Sequence, residues 1–292
     1  MYSSSLPYKV VATDLDGTLL NPDHLVSEYT LRVIEALAEQ GVPVIFATGR
    51  HHGDVLETRR KLGLKGYVIT SNGARVHDPQ DRLILKKDMD PAVARELALV
   101  AANDAEIATS VYRLDSWLMN KHAKDLTEYY RSNRHVFYYQ LFDPATQDYD
   151  GVYKVYYTSD RRECLEMLSA KINAAYGEKV SMAFTLPNCL EVMRKGVNKG
   201  VALREVVGML LGGTRKSING ENAASTIKHC IAFGDGMNDL EMLSMAEKGC
   251  VMKNAQHDLL KMAPPHLERI GANSEDGVAR HLAKVFRLDL GE

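Results

Sequence analysis

The chain has 292 residues, 45% of them hydrophobic and 25% charged, with a formal net charge of −2. That is the composition of an ordinary globular protein with enough chain for a large core and two domains. Weak net charge with dispersed basic residues argues against a nucleic-acid partner, and the four scattered cysteines, Cys164, Cys189, Cys230 and Cys250, form no CxxC pair that would point to zinc or a disulfide scaffold.

The residues from Met1 to Pro7 carry neither the basic nor the apolar region of a signal peptide. No apolar run approaches membrane-spanning length, and Leu290-Gly291-Glu292 is no peroxisomal address, so a cytoplasmic protein without a membrane partner is expected. The first ordered element is an apolar, β-branched strand beginning at Val10 that runs into Asp14-Leu15-Asp16-Gly17-Thr18. A turn at Asn21-Pro22-Asp23 follows. Ser27 then caps a helix with Leu31, Ile34, Leu37 and Ala38 on its apolar stripe, and Gly41 stops it. A second strand over 42–47 ends in Thr48-Gly49-Arg50. A polar helix over 52–62 leads to a third strand over 67–70, which ends in Ser71-Asn72-Gly73. Strands alternating with helices imply βαβ units in a parallel sheet, and each strand delivers small, polar or acidic residues at its C-terminal end.

From Gly73 the pattern changes to a hairpin over 74–86 and a helix opened by Asp90-Pro91. Strand-like runs follow over 107–112, 116–119, 152–158, 180–184 and 190–193. Aromatics are dense among them: Tyr129, Tyr130, Phe137, Tyr138, Tyr139, Phe142, Tyr149, Tyr153, Tyr156, Tyr157 and the sole tryptophan, Trp117. This reads as an inserted α+β domain whose aromatic stripe packs a sheet. The α/β rhythm resumes with a helix from Lys199 to about Leu211 and a polar loop over 212–222. After that come a strand over 229–233 ending in Gly234-Asp235-Gly236-Met237-Asn238-Asp239, and further alternating elements to Phe286. The expected fold class is α/β, a doubly wound parallel-sheet core with an inserted α+β cap. Its core is divided between 1–84 and 194–292, and the cap occupies 85–193.

Asp14 with Asp16, Thr48, Lys199, and Asp235 with Asp239 therefore fall at ends of core elements, where open α/β sheets bind ligands. Taken singly, each has an ordinary explanation as a turn, a cap or a solvated charge. Taken together and in this order, Asp14-Leu15-Asp16-Gly17-Thr18, Thr48-Gly49-Arg50, Lys199-Gly200 and Gly234 to Asp239 resemble the four motifs of the haloacid dehalogenase superfamily. The insertion between the second and third motifs resembles its Cof-type phosphatases with an α/β cap. The likeness covers essentially the whole chain, including the connecting phrases Phe46 to His51, Ser71 to Ala74 and Cys189 to Val192, and more specifically the chain resembles Cof-type enzymes that dephosphorylate pyridoxal phosphate. The loop near Gly212 to Ser225 is longer than in those relatives.

The resemblance implies a phosphatase acting through an aspartyl phosphate, with a small-molecule phosphomonoester as substrate. Asp14 is implied as nucleophile, and it needs no activating base, because a carboxylate with a pKa of about 3.9 is ionised at neutral pH. Asp16 is implied as the acid that protonates the leaving oxygen and later deprotonates water, which requires its pKa to lie above that of Asp14. Oxygen ligands and phosphate chemistry suit Mg2+, with Asp14 and Asp235 as side-chain ligands. By resemblance Asp16 adds its carbonyl, and Asp239 acts directly or through water. Lys199, Thr48, Asn238 and the backbone at Leu15 and Gly49 are expected to cradle the phosphate. Arg50, Asn72 and Gly73 lie just past strand ends and are expected to reach the leaving group. On the cap, Trp117, Asn120, Asn188 and Glu191 are specificity candidates, Glu191 having Arg194 or Lys195 as an alternative partner. His51 and His52 read as solvated loop residues. A superfamily phosphomutase, a receiver-like phospho-acceptor and a metal-free dehalogenase are the competing readings. The receiver is far shorter, and the dehalogenase leaves Asp235 and Asp239 unexplained. A monomer or weak homodimer is expected.

Overall fold

The computed structural model describes residues 6–122, 128, 138–212 and 226–290. Tyr129, Tyr130, Phe137 and the polar loop expected beyond Gly212 lie outside these residues. The chain divides into two compact units, one of Met1–Gly49, Thr58–Ile84 and Asn198–Glu292, the other of Arg50–Glu57 and Leu85–Val197.

The first unit is built on an eight-stranded sheet. In chain order it begins with β1 (Val10–Thr13), β2 (Val44–Ala47), β3 (Tyr67–Thr70), β4 (Arg75–His77) and β5 (Leu83–Lys86). Six strands of the second unit, β6 to β11, follow and are described below. The sheet is completed by β12 (Cys230–Gly234), β13 (Lys248–Val251) and β14 (Glu268–Arg269), in the spatial order β14-β13-β12-β1-β2-β3-β4-β5. From β14 to β3 neighbouring strands are parallel, and β4 runs antiparallel to β3. The central strands β1, β2 and β12 are buried at every residue, which suits their unbroken apolar sequences and marks a sheet covered on both faces. The chain steps from β1 to β2 and β3 on one side, while β12 takes the other side of β1. Strand order therefore reverses beside β1, the kind of switch point at whose C-terminal strand ends open α/β sheets bind ligands.

Helices cover the sheet in pairs. Helix α1 (Glu28–Glu39) packs with the C-terminal α8 (Gly277–Phe286), and α5 (Lys199–Gly212) packs with α6 (Leu240–Met245). A short α7 (His257–Met262) follows β13. Ser27 caps α1 as its sequence implies, its hydroxyl accepting from the Thr30 amide at 3.0 Å. The same hydroxyl donates to Asp276 at 2.7 Å and so joins the starts of α1 and α8. The buried stripe of α1 is Thr30, Val33, Ile34 and Leu37; Ala38, expected on it, is exposed, because the burying face is centred a fraction of a turn earlier. Among the described residues no helix is long and apolar enough to cross a membrane.

The second unit holds β6 (Ala108–Arg113), β7 (Ser116–Met119), β8 (Gln140–Leu141), β9 (Val152–Thr158), β10 (Val180–Leu186) and β11 (Cys189–Arg194), in the order β10-β11-β9-β6-β7-β8. Helices α3 (Pro91–Leu99) and α4 (Arg162–Tyr176) contribute to a core with Val111, Val155, Tyr157, Leu190 and Val192 of the sheet. Residues 50–57, which the sequence reading leaves in the core, group with this unit together with the start of α2 (His52–Leu62). His51 accounts for part of that grouping: its ring sits edge-on to Tyr112 at 4.9 Å and lies 6.1 Å from Tyr153. His51 is thus a packed residue, 3% exposed, rather than the solvated one expected.

Leu37, with no exposed surface, tests the packing of α1 against the sheet. Leu37→Ala is expected to cost about 2–5 kcal/mol. Urea denaturation should show a lower midpoint with an unchanged slope.

Candidate active site

All of the clustered groups belong to the first unit. Strand β1 ends at Thr13, and the chain then makes one wide turn over Leu15–Leu19, in which the Leu20 amide reaches back to the Leu15 carbonyl at 2.8 Å. Gly17 sits in this turn at φ +76, a left-handed conformation, and a β-carbon there would overlap the Asp235 carboxylate. The Asp-x-Asp-Gly spacing therefore has a steric cause. Glycine lets the β1 loop lie against the carboxylate delivered by β12. Thr18, which the sequence reading quotes but gives no task, donates its hydroxyl to Asp235 at 2.7 Å and fixes that approach. Asn254 donates to the Gly17 carbonyl at 2.7 Å from the far side.

Lys199 is the centre of the cluster. It opens α5, is 1% exposed, and donates to Asp14 Oδ1 at 2.6 Å and Asp239 Oδ1 at 2.7 Å. Gly200 allows this placement, since a β-carbon on it would meet the backbone of Glu241, where α5 and α6 cross. The other oxygen of Asp239 accepts the amides of Asp235 and Gly236 at 3.0 and 2.9 Å. Both Asp239 oxygens are thus already engaged, and this fully buried carboxylate holds the lysine and the β12 loop together.

One oxygen from each of Asp14, Asp235 and Asp239 lies within 4.8 Å of the others, a group able to hold a metal ion. Asp16 lies on the same loop with a half-exposed side chain, 3.1 Å from His24 Nδ1. His24 is a site residue that sequence reasoning missed. Its signal was weak, a histidine in a turn, though its φ of +57 marks a position held by its surroundings.

The electrostatics follow from four carboxylates and one buried ammonium. Burial pushes Asp14 well above the usual carboxylate range, against the pull of Lys199, with Asp239, Asp235 and Asp16 adding to the rise. Burial likewise brings Asp235 up to about 7, helped by Asp239 and opposed by the Thr18 hydroxyl. Burial pulls Lys199 down, but Asp14 and Asp239 outweigh it and hold the ammonium above its ordinary value. In the metal-free cluster Asp14 is desolvated and surrounded by like charge, and positive charge is what would restore its ionisation.

The remaining predicted positions divide. Thr48 is buried at the end of β2, its amide bonded to Ile69 and its carbonyl to the Asn72 amide. Asn72 is buried and accepts from Asn238 Nδ2 at 2.9 Å, which links the loops after β3 and β12. Gly49 lies close to the Asn72 side chain, and Gly73 close to the Asn198 carbonyl just before Lys199. Leu15 is buried at the start of the wide turn. Arg50 groups with the second unit and donates to Asp54 at 3.0 Å, one turn along. On the cap, Asn120 is committed to its own fold, accepting from the Thr109 amide at 2.9 Å, and Asn188 is exposed in the β10–β11 turn. Glu191 is buried and paired with Lys154, not with Arg194 or Lys195, both of which are exposed.

Comparison with known proteins accounts for this arrangement. Residues 11–282 match the family model described as haloacid dehalogenase-like hydrolase. A chain from Buchnera aphidicola subsp. Schizaphis graminum (strain Sg) that carries a provisional phosphatase name is 38% identical over 279 residues, 96% of each chain. The HMP-PP phosphatase of Cronobacter sakazakii (strain ATCC BAA-894) is 35% identical over 271 residues, 93% of each. The crystal structure of TM0651 from Thermotoga maritima is similar with a TM-score of 0.75 and 26% identity, over 95% of this chain and 97% of that one. With a family model spanning most of its length and motifs that fold into one carboxylate–lysine cluster, the chain belongs to the haloacid dehalogenase-like hydrolases.

Proposed function

We propose that this phosphatase hydrolyses small phosphorylated metabolites, pyridoxal phosphate or sugar phosphates, through an aspartyl phosphate on Asp14. The observation that carries the reading is the buried Lys199 ammonium bridging Asp14, which follows β1, and Asp239, which follows β12. Lys199 holds Oδ1 of Asp14 and leaves Oδ2 to attack phosphorus. As that bond forms, the bond from phosphorus to the leaving oxygen breaks, and Asp16 gives its proton to that oxygen. Water then attacks the phosphoaspartate. Asp16 takes its proton, the phosphorus bond to Asp14 breaks, and inorganic phosphate leaves. His24, within hydrogen-bond reach of Asp16, orients that carboxyl.

Lys199, the Thr48 hydroxyl, Asn238 and the amides of Leu15 and Gly49 are assigned to the phosphate oxygens, with Arg50, Asn72 and Gly73 toward the leaving group. The carboxylates of Asp14 and Asp235, the carbonyl of Asp16 and, directly or through water, Asp239 would hold Mg2+. Hard oxygen donors and a surplus of negative charge fit that cation. When bound it supplies charge neutralisation and a template for the phosphoryl group. A cytoplasmic setting fits this substrate class, and HMP-PP, from the name of the Cronobacter relative, belongs beside pyridoxal phosphate and hexose phosphates in any assay panel.

Asp14→Asn is expected to abolish phosphate release from acetyl phosphate in the presence of Mg2+ while thermal unfolding stays cooperative. Turnover above about one-hundredth of wild type would remove Asp14 as nucleophile.

The pH dependence has a definite sign. Carboxyls raised in the folded state contribute stability below their unfolded pKa, and that contribution is lost as pH rises through the folded value, about 7 for Asp235. Metal-free protein should therefore lose thermal stability between pH 5 and 8, and Asp235→Asn should flatten the decline. Because a cation binds the deprotonated carboxylates, added Mg2+ should raise the melting temperature more at pH 8 than at pH 6. A metal effect independent of pH would contradict this assignment.

A further inference from the structure

The wide turn after β1 contains a corner that its own residues leave loosely fixed. Asp16 (φ −75, ψ 123) and Gly17 (φ 76, ψ −4) have the dihedrals of the central pair of a type II turn, and a glycine there carries no β-carbon to restrict its rotation. The turn's own hydrogen bonds, from Leu19 to the Asp14 carbonyl and from Leu20 to the Leu15 carbonyl, leave the carbonyls of Gly17 and Leu20 to partners from elsewhere. Two asparagines supply them. Asn254 donates to Gly17 at 2.7 Å, and Asn273 donates to Leu20 at 2.8 Å. The Asn254 amide group works at both ends, its oxygen accepting the Asn273 backbone amide at 2.9 Å.

Both asparagines lie far along the chain, after β13 and β14, and β12 stands in the sheet between β13 and β1. Asn254 thus spans the width of β12 to reach the β1 turn. The same short stretch also holds the β12 loop. Two residues beyond Asn254, the Gln256 amide donates to the Asp235 carbonyl at 2.8 Å, and its side-chain oxygen accepts the Met237 amide at 3.2 Å. Burial does not force these bonds. Asn254 and Gln256 are exposed, and water could satisfy their side chains at little cost. What water cannot supply is direction. A bond from a residue anchored behind β13 fixes the plane of the Gly17–Thr18 peptide, and with it the corner on which the Asp16 side chain stands.

We infer that Asn254, backed by Asn273, is a positioning residue for Asp16 and holds its carboxyl where it protonates the leaving oxygen. The inference rests on the phosphatase reading and on Asp16 as its acid. General-acid help contributes about 100- to 10,000-fold and depends on the donor standing within hydrogen-bond reach of the atom it protonates, so a corner free to rotate forfeits much of it. Asp14 is fixed by other means, through Lys199, and its attack on phosphorus survives the loss of Asn254. The consequence is a selective defect. Esters whose leaving oxygen needs a proton suffer, and esters whose leaving group departs as a stable anion do not. A residue that merely stabilised the fold would slow both alike.

The test compares the full-length protein with Asn254→Ala, Mg2+ present, on two kinds of ester. One is p-nitrophenyl phosphate, whose phenolate leaves unprotonated; the other is pyridoxal phosphate or glucose 6-phosphate, whose alkoxide needs a proton. Because kcat/KM reports transfer to Asp14 rather than the later attack of water, it isolates the acid step. It should fall at least about tenfold for the alkyl ester and less than about threefold for the aryl ester. Independently of turnover, hydrogen exchange of the metal-free protein should run at least about tenfold faster at the Leu19 and Leu20 amides of the variant, with β13 unchanged. Asn273→Ala carries the same two tests, in the same direction, should the first variant fail to fold. Equal losses on the two esters, or unchanged exchange at Leu19 and Leu20, would overturn the inference. Wild-type protein that hydrolyses neither ester, with exchange accelerated in the variant, would instead remove the phosphatase reading and uphold the asparagine clamp on the turn.

Discussion

A buried lysine held between two carboxylates organises the first unit. Lys199 has almost no contact with water, and its ammonium is tolerable there only because Asp14 and Asp239 each lie within 2.7 Å. The dependence runs in both directions. Asp14 would be still harder to ionise without the lysine, and Asp239, through its other oxygen, ties the amides of Asp235 and Gly236 to the same point. One interaction thus sets the position of the nucleophile candidate, the start of α5 and the shape of the β12 loop. Three carboxylates around a single ammonium still leave the cluster short of positive charge, which is the physical ground for expecting a divalent cation rather than a neutral ligand.

Much of this was legible from residue order. The runs from Val10, over 42–47 and over 229–233 read as strands because they are largely apolar, as a strand buried on both faces has to be. Asp14, Thr48 and Asp235 each close such a run, and they read as site residues because together with Lys199 they fall in the order of the family's motifs. Side-chain partnerships were not legible, because they depend on which elements become neighbours. Thr18 looked like part of a turn and proves to be a donor to Asp235. His24 carried no pattern and lies against Asp16. Glu191 had charged residues close by in sequence, but its partner Lys154 comes from the adjacent strand, at a distance in the chain that no local pattern reaches. His51 read as solvated because it follows a polar strand end, and it is buried under aromatic contacts that a linear reading does not contain. Nor was the rise in the pKa of Asp14 without a cation legible, since burial and like charge are properties of the folded neighbourhood.

The residues assigned above to the phosphate oxygens, Lys199, Thr48, Asn238, Leu15 and Gly49, all come from the first unit, whereas Arg50, assigned toward the leaving group, groups with the second. The second unit buries an ion pair and aromatic rings on one face of its sheet and aliphatic side chains on the other.

The placement of β12 also bears on how the molecule is made. Thr18 and Asp235 are separated by 217 positions, and β1 is a central strand only once β12 has been added beside it. While the ribosome is still producing the second unit, β1 has β2 on one flank and an unpaired edge of amides and carbonyls on the other. Asp14 then sits at the end of an open edge, hydrated and without its lysine. Burial, pairing and the shift in its acidity are acquired late and together, when Lys199 and the β12 loop arrive. A chain interrupted before that point carries the Asp-x-Asp signature without the environment that makes it a site.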